Sequence, residues 1–215
     1  MNSTVTPKFR ASLGFLILLA IAVGLGGCAS GAKVTKVFRV PKPLIDSVPV
    51  VMGLYISPEL RGKTYETKIH QHGKFTIELG ESQEHLFSQA FSAVFSELIL
   101  VQSLDSLPEG IEGVIIPSIV KTELEIPQQT PGDFYSVWIR YSIRIVDSDD
   151  EEIIDWIVPA YGRANRHDFS NPLDRPTQAL TKARDNAMRD AATQIAFSFT
   201  REPAVRDWLT ELTQS

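Results

Sequence analysis

Between Phe134 and Val146, apolar and polar residues alternate through a stretch long enough to cross a whole sheet. Val137, Ile139, Tyr141, Ile143 and Ile145 fall on one side, and Trp138, Arg140, Ser142 and Arg144 on the other. A period of two places successive side chains on opposite faces of a strand and excludes an amphipathic helix. One face of this strand must be buried, so the chain needs flanking strands and a covering layer. Both are legible nearby. Val114 to Ile126 alternates in its later half, with Val120, Leu124 and Ile126 opposite Lys121, Glu123 and Glu125. Ile153 to Ala160 is apolar on both sides around Trp156 and reads as a strand covered on both faces. Asp147-Ser148-Asp149-Asp150 supplies the turn that leads into it.

The covering layer comes from two helices. Glu81 to Leu98 carries Leu86, Phe87, Ala90, Phe91, Val94, Phe95 and Leu98 at three- and four-residue steps. Ser82 is a candidate cap for it, and Glu81 and Glu84 suit the positive end of its dipole. Thr177 to Phe199 presents Leu180, Ala183, Ala187, Ala191 and Ile195, a stripe small enough for close packing on a sheet. Upstream, Val48 to Ile56 reads as a central strand. Lys63 to His70 and Lys74 to Leu79 form a hairpin around Gln71-His72-Gly73. Ile99 to Val101 is a short strand, and Pro203 begins a short last helix ending near Leu212. The expected fold class is α+β: a mostly antiparallel sheet with two long helices packed on one face and the other face partly open.

The N-terminal region is a separate object. Lys8 and Arg10 precede Leu13–Leu25, which is 13 residues without a charge. As a helix this run is about 20 Å long, against about 30 Å of bilayer hydrocarbon. A basic start, a short apolar run and then small residues is the layout of a secretory signal peptide. Leu25-Gly26-Gly27-Cys28 resembles the lipobox of bacterial lipoproteins. The resemblance implies cleavage before Cys28, a diacylglycerol on its sulfur and a fatty acyl chain, such as palmitate, on the new amino group. Ala29 in place of an aspartate implies sorting to the outer membrane, with the domain facing the periplasm. Cys28 is also the only cysteine in the chain. Several acyl chains on one residue exceed what stable anchoring needs. The expected organisation is a signal peptide over 1–27, a lipidated basic tether over 28–43 and an α+β periplasmic domain over 44–215.

The net charge of -5 conceals a division. Ala29 to Lys42 holds four bases and no acid, whereas 15 basic residues beyond Lys42 face 26 acidic ones. The tether either lies against anionic lipid headgroups, at roughly 1 kcal/mol per basic residue near the surface, or is a solvated linker. Val34, Val37, Phe38 and Val40 point to part of it docking as an edge strand. With 43% hydrophobic and 22% charged residues, the chain is not a disordered tail, a collagen-like repeat or a polytopic membrane protein. The acidic excess of the body excludes a basic nucleic-acid binder.

Chemistry-bearing motifs are sparse. His70 and His72 form an H-x-H pair, but a third ligand would have to be His85 or His167, and no metal is expected. Asp147, Asp149 and Glu151 match the start of a calcium loop. Glu152 then stands where glycine is required and Val158 where a bidentate glutamate is, so an acidic hairpin turn is the better reading. Glu123 and Glu125 share a strand face. With no nucleophile, phosphate-loop or zinc-protease motif, neither enzymatic activity nor a cofactor beyond the covalent lipid is expected. Trp138, Arg140 and Arg144, with Tyr135 nearby, make an aromatic and basic face of hot-spot composition. It either docks a partner or is covered by the tether or the last helix. Arg163, Arg166 and His167 form a second basic patch in the loop after the last strand, suited to phosphate headgroups or an acidic partner.

The order of strands and helices on a lipidated tether is similar in layout to several small envelope lipoproteins. These include periplasmic activators of penicillin-binding proteins and auxiliary lipoproteins of lipid-trafficking ABC transporters. No residue motif in 43–215 carries over from them. The expected function is an outer-membrane-anchored, non-enzymatic accessory or scaffold of a cell-envelope complex. Its partners are then membrane lipid, through acylated Cys28, and another envelope protein. The alternatives are a lipid-binding or transport auxiliary and, less favoured, an envelope hydrolase.

Overall fold

The computed structural model describes residues 33–34, 47–129 and 132–214. The signal peptide, Cys28 and most of the tether lie outside the described residues. Strand β1 (Lys33–Val34) is followed by β2 (Val48–Tyr55), the single turn α1 (Pro58–Arg61), β3 (Thr64–Ile69), β4 (Gly73–Glu78), α2 (Gly80–Phe91) and β5 (Phe95–Val101). Then come β6 (Gly113–Glu125), β7 (Phe134–Asp147), β8 (Glu152–Asn165), α3 (Arg175–Ser198) and α4 (Pro203–Gln214). The main sheet has the order β5-β2-β6-β7-β8, and a small sheet has the order β1-β4-β3. In the main sheet, β2 pairs in parallel with β5 and β6, while the much longer β6, β7 and β8 form an antiparallel meander. The α+β class with a mostly antiparallel sheet is therefore the observed one.

The alternation of β7 is realised in full. Val137, Ile139, Tyr141, Ile143 and Ile145 are buried under the helices. The alanine stripe of α3 is buried too, and its purpose is visible at Gly162 of β8. A Cβ there would sit 2.2 Å from the Ala183 carbonyl oxygen and 2.2 Å from the Ala187 nitrogen. Helix backbone thus rests directly on strand backbone, an approach only glycine permits. The same contact seals the exposed edge of β8. Asp190 accepts from the Tyr161 amide at 3.0 Å, Gln194 donates to the Pro159 carbonyl at 2.6 Å, and Asn186 donates to the Arg163 carbonyl at 2.9 Å. Pro159 has no amide to leave unpaired, and an edge treated this way does not recruit another strand. Above the sheet, Phe87, Phe91, Phe95, Phe199 and Tyr141 meet ring to ring at 5.3–6.4 Å. A smaller cluster of Val101, Ile111, Val114 and Val146 closes the opposite face at the β2–β5–β6 end, under the loop that follows β5.

Several sequence expectations need correction. The helix expected to run to Leu98 ends at Phe91, and Phe95–Val101 is strand β5. A short apolar run satisfies either periodicity, so the stripe read through a helix end. Ser82 lies inside α2 rather than capping it, and α2 has no side-chain cap; Gln83 instead donates to the Leu79 carbonyl at 3.1 Å. Val120 is 56% exposed rather than on the side of Leu124, because it is the extra residue of a bulge between Ile119 and Lys121. Strand β8 is an edge strand and extends to Asn165, and Ile157 on its outer face is 46% exposed, so it is not covered on both sides. Part of the tether does dock as an edge strand: Lys33 and Val34 pair in parallel with Thr76 and Ile77.

Gly162→Ala is expected to cost about 3 kcal/mol of stability, the upper end for overpacking, because backbone must move to admit the methyl group. Gly62→Ala, whose Cβ would meet nothing closer than 3.5 Å, is the control and should change stability by less than about 1 kcal/mol. Urea unfolding of both variants measures the contrast.

Candidate functional site

Two regions gather the candidate residues, in a different grouping from the sequence order. The first is the helix-free face of β6–β8. Cross-strand register sets Trp138 opposite Tyr161, Arg140 opposite Pro159, Ser142 opposite Ile157 and Arg144 opposite Asp155. The Trp138 and Tyr161 rings lie 4.9 Å apart, and Tyr161 remains 40% exposed. Arg163 belongs to this face and not to a loop. It lies in β8, opposite Ser136, with its guanidinium 4.8 Å from the centre of the Phe134 ring. Lys121 and Glu123 neutralise each other at 2.8 Å, and Asp155 accepts from the Ser142 hydroxyl at 2.5 Å. Arg140 and Arg144 are exposed and have no carboxylate partner among the described residues. The face therefore combines aromatic surface with unspent positive charge.

Tyr135 is absent from this face. It points to the helix side, is 4% exposed, and joins Arg166 and His167 instead. Together with His72, Phe75, Gln128 and Arg175 these residues line a cavity of 240 Å³ beside the tip of the β3–β4 hairpin. Asp133 bridges two of them, 2.6 Å from Arg166 Nη2 and 3.2 Å from His167 Nε2. Arg175 donates from Nε to the Phe169 carbonyl at 2.7 Å, which fixes the plane of its guanidinium. Burial pushes the Tyr135 phenol up, and the positive charge of Arg166 partly offsets this. The cavity is a small socket of mixed polar and apolar lining that includes two arginines and, among the described residues, no carboxylate.

The remaining candidates fall elsewhere. His70 and His72 sit in the turn between β3 and β4, so the same-face strand spacing that would converge them is lost. Asp147 Oδ1 accepts from the amides of Asp149 and Glu151, each at 2.9 Å, making the segment a self-satisfied hairpin turn. Sequence reasoning missed Phe134, Ile157 and Tyr161 on the open face, and Arg175 and Gln128 at the cavity. Phe134 and Tyr161 follow from extending the β7–β8 register by five residues, and Ile157 from recognising β8 as an edge strand with an uncovered outer face. Arg175 and Gln128 are remote in sequence from their neighbours, and no local pattern announces them.

No family model matches the sequence, and no curated protein matches it. Among solved structures, a Xanthomonas campestris protein of the DUF330 family is similar at a TM-score of 0.51 and 8% identity, over 86% of this chain and 100% of that one. That likeness shows a shared fold. The similar structures also include several bacterial lipoproteins. Lipoprotein B of Nitrosomonas europaea has a TM-score of 0.40 at 13% identity, over 76% of this chain and 94% of that one. A lipoprotein of Neisseria meningitidis has a TM-score of 0.30 at 11% identity, over 58% and 88% respectively.

The assignment of Tyr135 and Trp138 to opposite faces has a thermodynamic signature. Tyr135→Ala empties a buried site and should cost about 3–4 kcal/mol. Trp138→Ala, on the open face where the ring is only partly buried, should cost less, about 1–2 kcal/mol. Equal losses in urea unfolding would contradict the assignment.

Proposed function

We propose that this chain is a lipid-anchored accessory protein of the bacterial cell envelope. It is held in the outer membrane by acylated Cys28, and it acts without catalysis by docking another envelope protein on the open face of β6–β8. The observation that carries this reading is the open face itself. Helices cover only one side of the sheet, and the other presents Trp138 and Tyr161 in contact, flanked by Arg140 and Arg144 with no acidic partner among the described residues. Such a surface favours a partner that offers carboxylates around an apolar patch, because desolvated Arg–carboxylate pairs and aromatic anchors dominate interface energetics. The signal layout and Leu25-Gly26-Gly27-Cys28 support the anchor. The non-catalytic reading is supported by how the carboxylates near both regions are spent: Asp133 on Arg166 and His167, Glu123 on Lys121, and Asp155 on Ser142. No cofactor is invoked beyond the covalent lipid.

A photo-cross-linking side chain at Ile157, in cells, tests the docking face. It should give a discrete adduct that falls at least fivefold when Arg140→Glu and Arg144→Glu are introduced together. The same side chain at Phe197, on the solvent side of α3, should give none. An adduct indifferent to the charge reversal contradicts the docking face. In parallel, Cys28→Ser should leave an unprocessed or soluble protein, and unchanged membrane fractionation and mobility would contradict the anchor.

A further inference from the structure

The direction of β1 bears on how an anchored domain would be oriented. Strand β1 runs parallel to β4, with Lys33 opposite Thr76 and Val34 opposite Ile77. Strand β4 leaves the hairpin tip at Gly73, so tracing the chain back from Lys33 leads towards that tip. Four residues lie between Cys28 and Lys33, five backbone steps with a reach of at most about 17 Å. An acyl group on Cys28 therefore places the β3–β4 tip close to the bilayer surface. The tip carries His72, and His72 and Phe75 line the 240 Å³ cavity together with Tyr135, Arg166, His167 and Arg175. The cavity is thus lined from the hairpin tip, the end of the domain that an acylated Cys28 would hold nearest the lipid.

We propose that this cavity binds the phosphate group of an anionic membrane lipid, a deeper reading of the same protein that rests on the Cys28 anchor. Three properties of the cavity select the ligand. Its volume lies below the roughly 300–1,000 Å³ of sites that enclose a drug-sized molecule, which suits a headgroup and not a whole lipid. Two arginines line it: Arg175 is held by one bond from Nε to the Phe169 carbonyl, which leaves its two Nη groups without a partner among the described residues. Arg166 is tied to Asp133 through Nη2 alone. The Nη pair of Arg175 matches two phosphate oxygens in two-point contact, and Arg166 adds positive charge beside it. Its walls are polar on the Arg166–His167–Arg175 side and apolar at Phe75, Ile126, Pro172 and Pro176, so the glycerol end of a headgroup meets carbon where the phosphate meets charge. Basic pockets at a membrane face are the usual setting for such recognition.

The test uses the full chain purified in neutral detergent, titrated calorimetrically with three probes: dihexanoyl-phosphatidylglycerol, dihexanoyl-phosphatidylcholine and inorganic phosphate. The expected result is saturable binding of the phosphatidylglycerol, at least tenfold tighter than the phosphatidylcholine and the inorganic phosphate. Binding should fall at least tenfold in Arg166→Ala with Arg175→Ala, and by an intermediate amount in Arg175→Lys, which keeps the charge and loses the fork. Arg166→Gln serves as the milder variant if the double substitution unfolds by circular dichroism. Unchanged phosphatidylglycerol binding in a folded variant overturns the site. Inorganic phosphate binding as tightly as the lipid overturns the membrane source and leaves a site for free phosphate. The Cys28→Ser chain separates this inference from the one beneath it. If that chain binds phosphatidylglycerol yet fractionates as the parent does, the anchor reading has failed and the headgroup site has not.

Discussion

Backbone contact between α3 and β8 at Gly162 is the constraint on which the rest of the arrangement depends. It fixes the separation of helix and sheet at the smallest value the chain allows, and the alanines at 179, 183, 187 and 191 follow from that separation. Asp190, Gln194 and Asn186 reach the β8 edge only because the helix lies so close. With that edge satisfied by side chains, β8 ends the sheet, and every long helix is committed to one face. The aromatic surface opposite is open as a direct consequence.

A second constraint ties the small sheet to the large one. Arg184 of α3 is fully buried, donates to Asp185 at 2.6 and 3.0 Å and reaches the Glu78 carbonyl at 3.3 Å. Removing one partner of such a buried pair typically costs about 3–5 kcal/mol, because it strands a charge in low dielectric. The Tyr141 hydroxyl and Gln83 Oε1 are buried nearby without hydrogen bonds among the described residues. Burial pushes the Tyr141 phenol up, with Gln83 and Arg184 partly offsetting it. This polar seam links α2, α3, β4 and β7. It ties the β3–β4 hairpin, which carries the cavity residues His72 and Phe75, to the main body.

Where side chains repeat at the period of their element, the sequence disclosed the structure. The alternation of β7 and the alanine stripe of α3 are the clearest cases, and together they define the layers. It failed where two periodicities fit one short segment, as at Phe95–Leu98, or where one inserted residue reverses the faces, as at Val120. The candidate surfaces were half legible for a related reason. Trp138, Arg140 and Arg144 share a strand and were found together. Tyr135 and Arg163 exchanged groups: odd and even positions of β7 face opposite ways, and β8 extends five residues beyond its apolar run. Arg175 reaches its cavity through tertiary packing alone.

On the proposed anchor, the hairpin tip and basic cavity lie at the lipid and the open face runs away from it. Strand β7 spans 14 residues from the cavity end to the turn at Asp147, about 45 Å of extended chain. The acidic turn around Asp149 therefore lies far from the tip. If Cys28 is acylated as proposed, His70→Cys and Asp149→Cys each offer one thiol for a fluorophore. The direct measurement is quenching of each label by nitroxide headgroup lipids in phosphatidylethanolamine–phosphatidylglycerol vesicles carrying the anchored full chain. Strong quenching at residue 70 and little at residue 149 is the result the account predicts. Equal quenching at the two positions, or the reverse order, would contradict it.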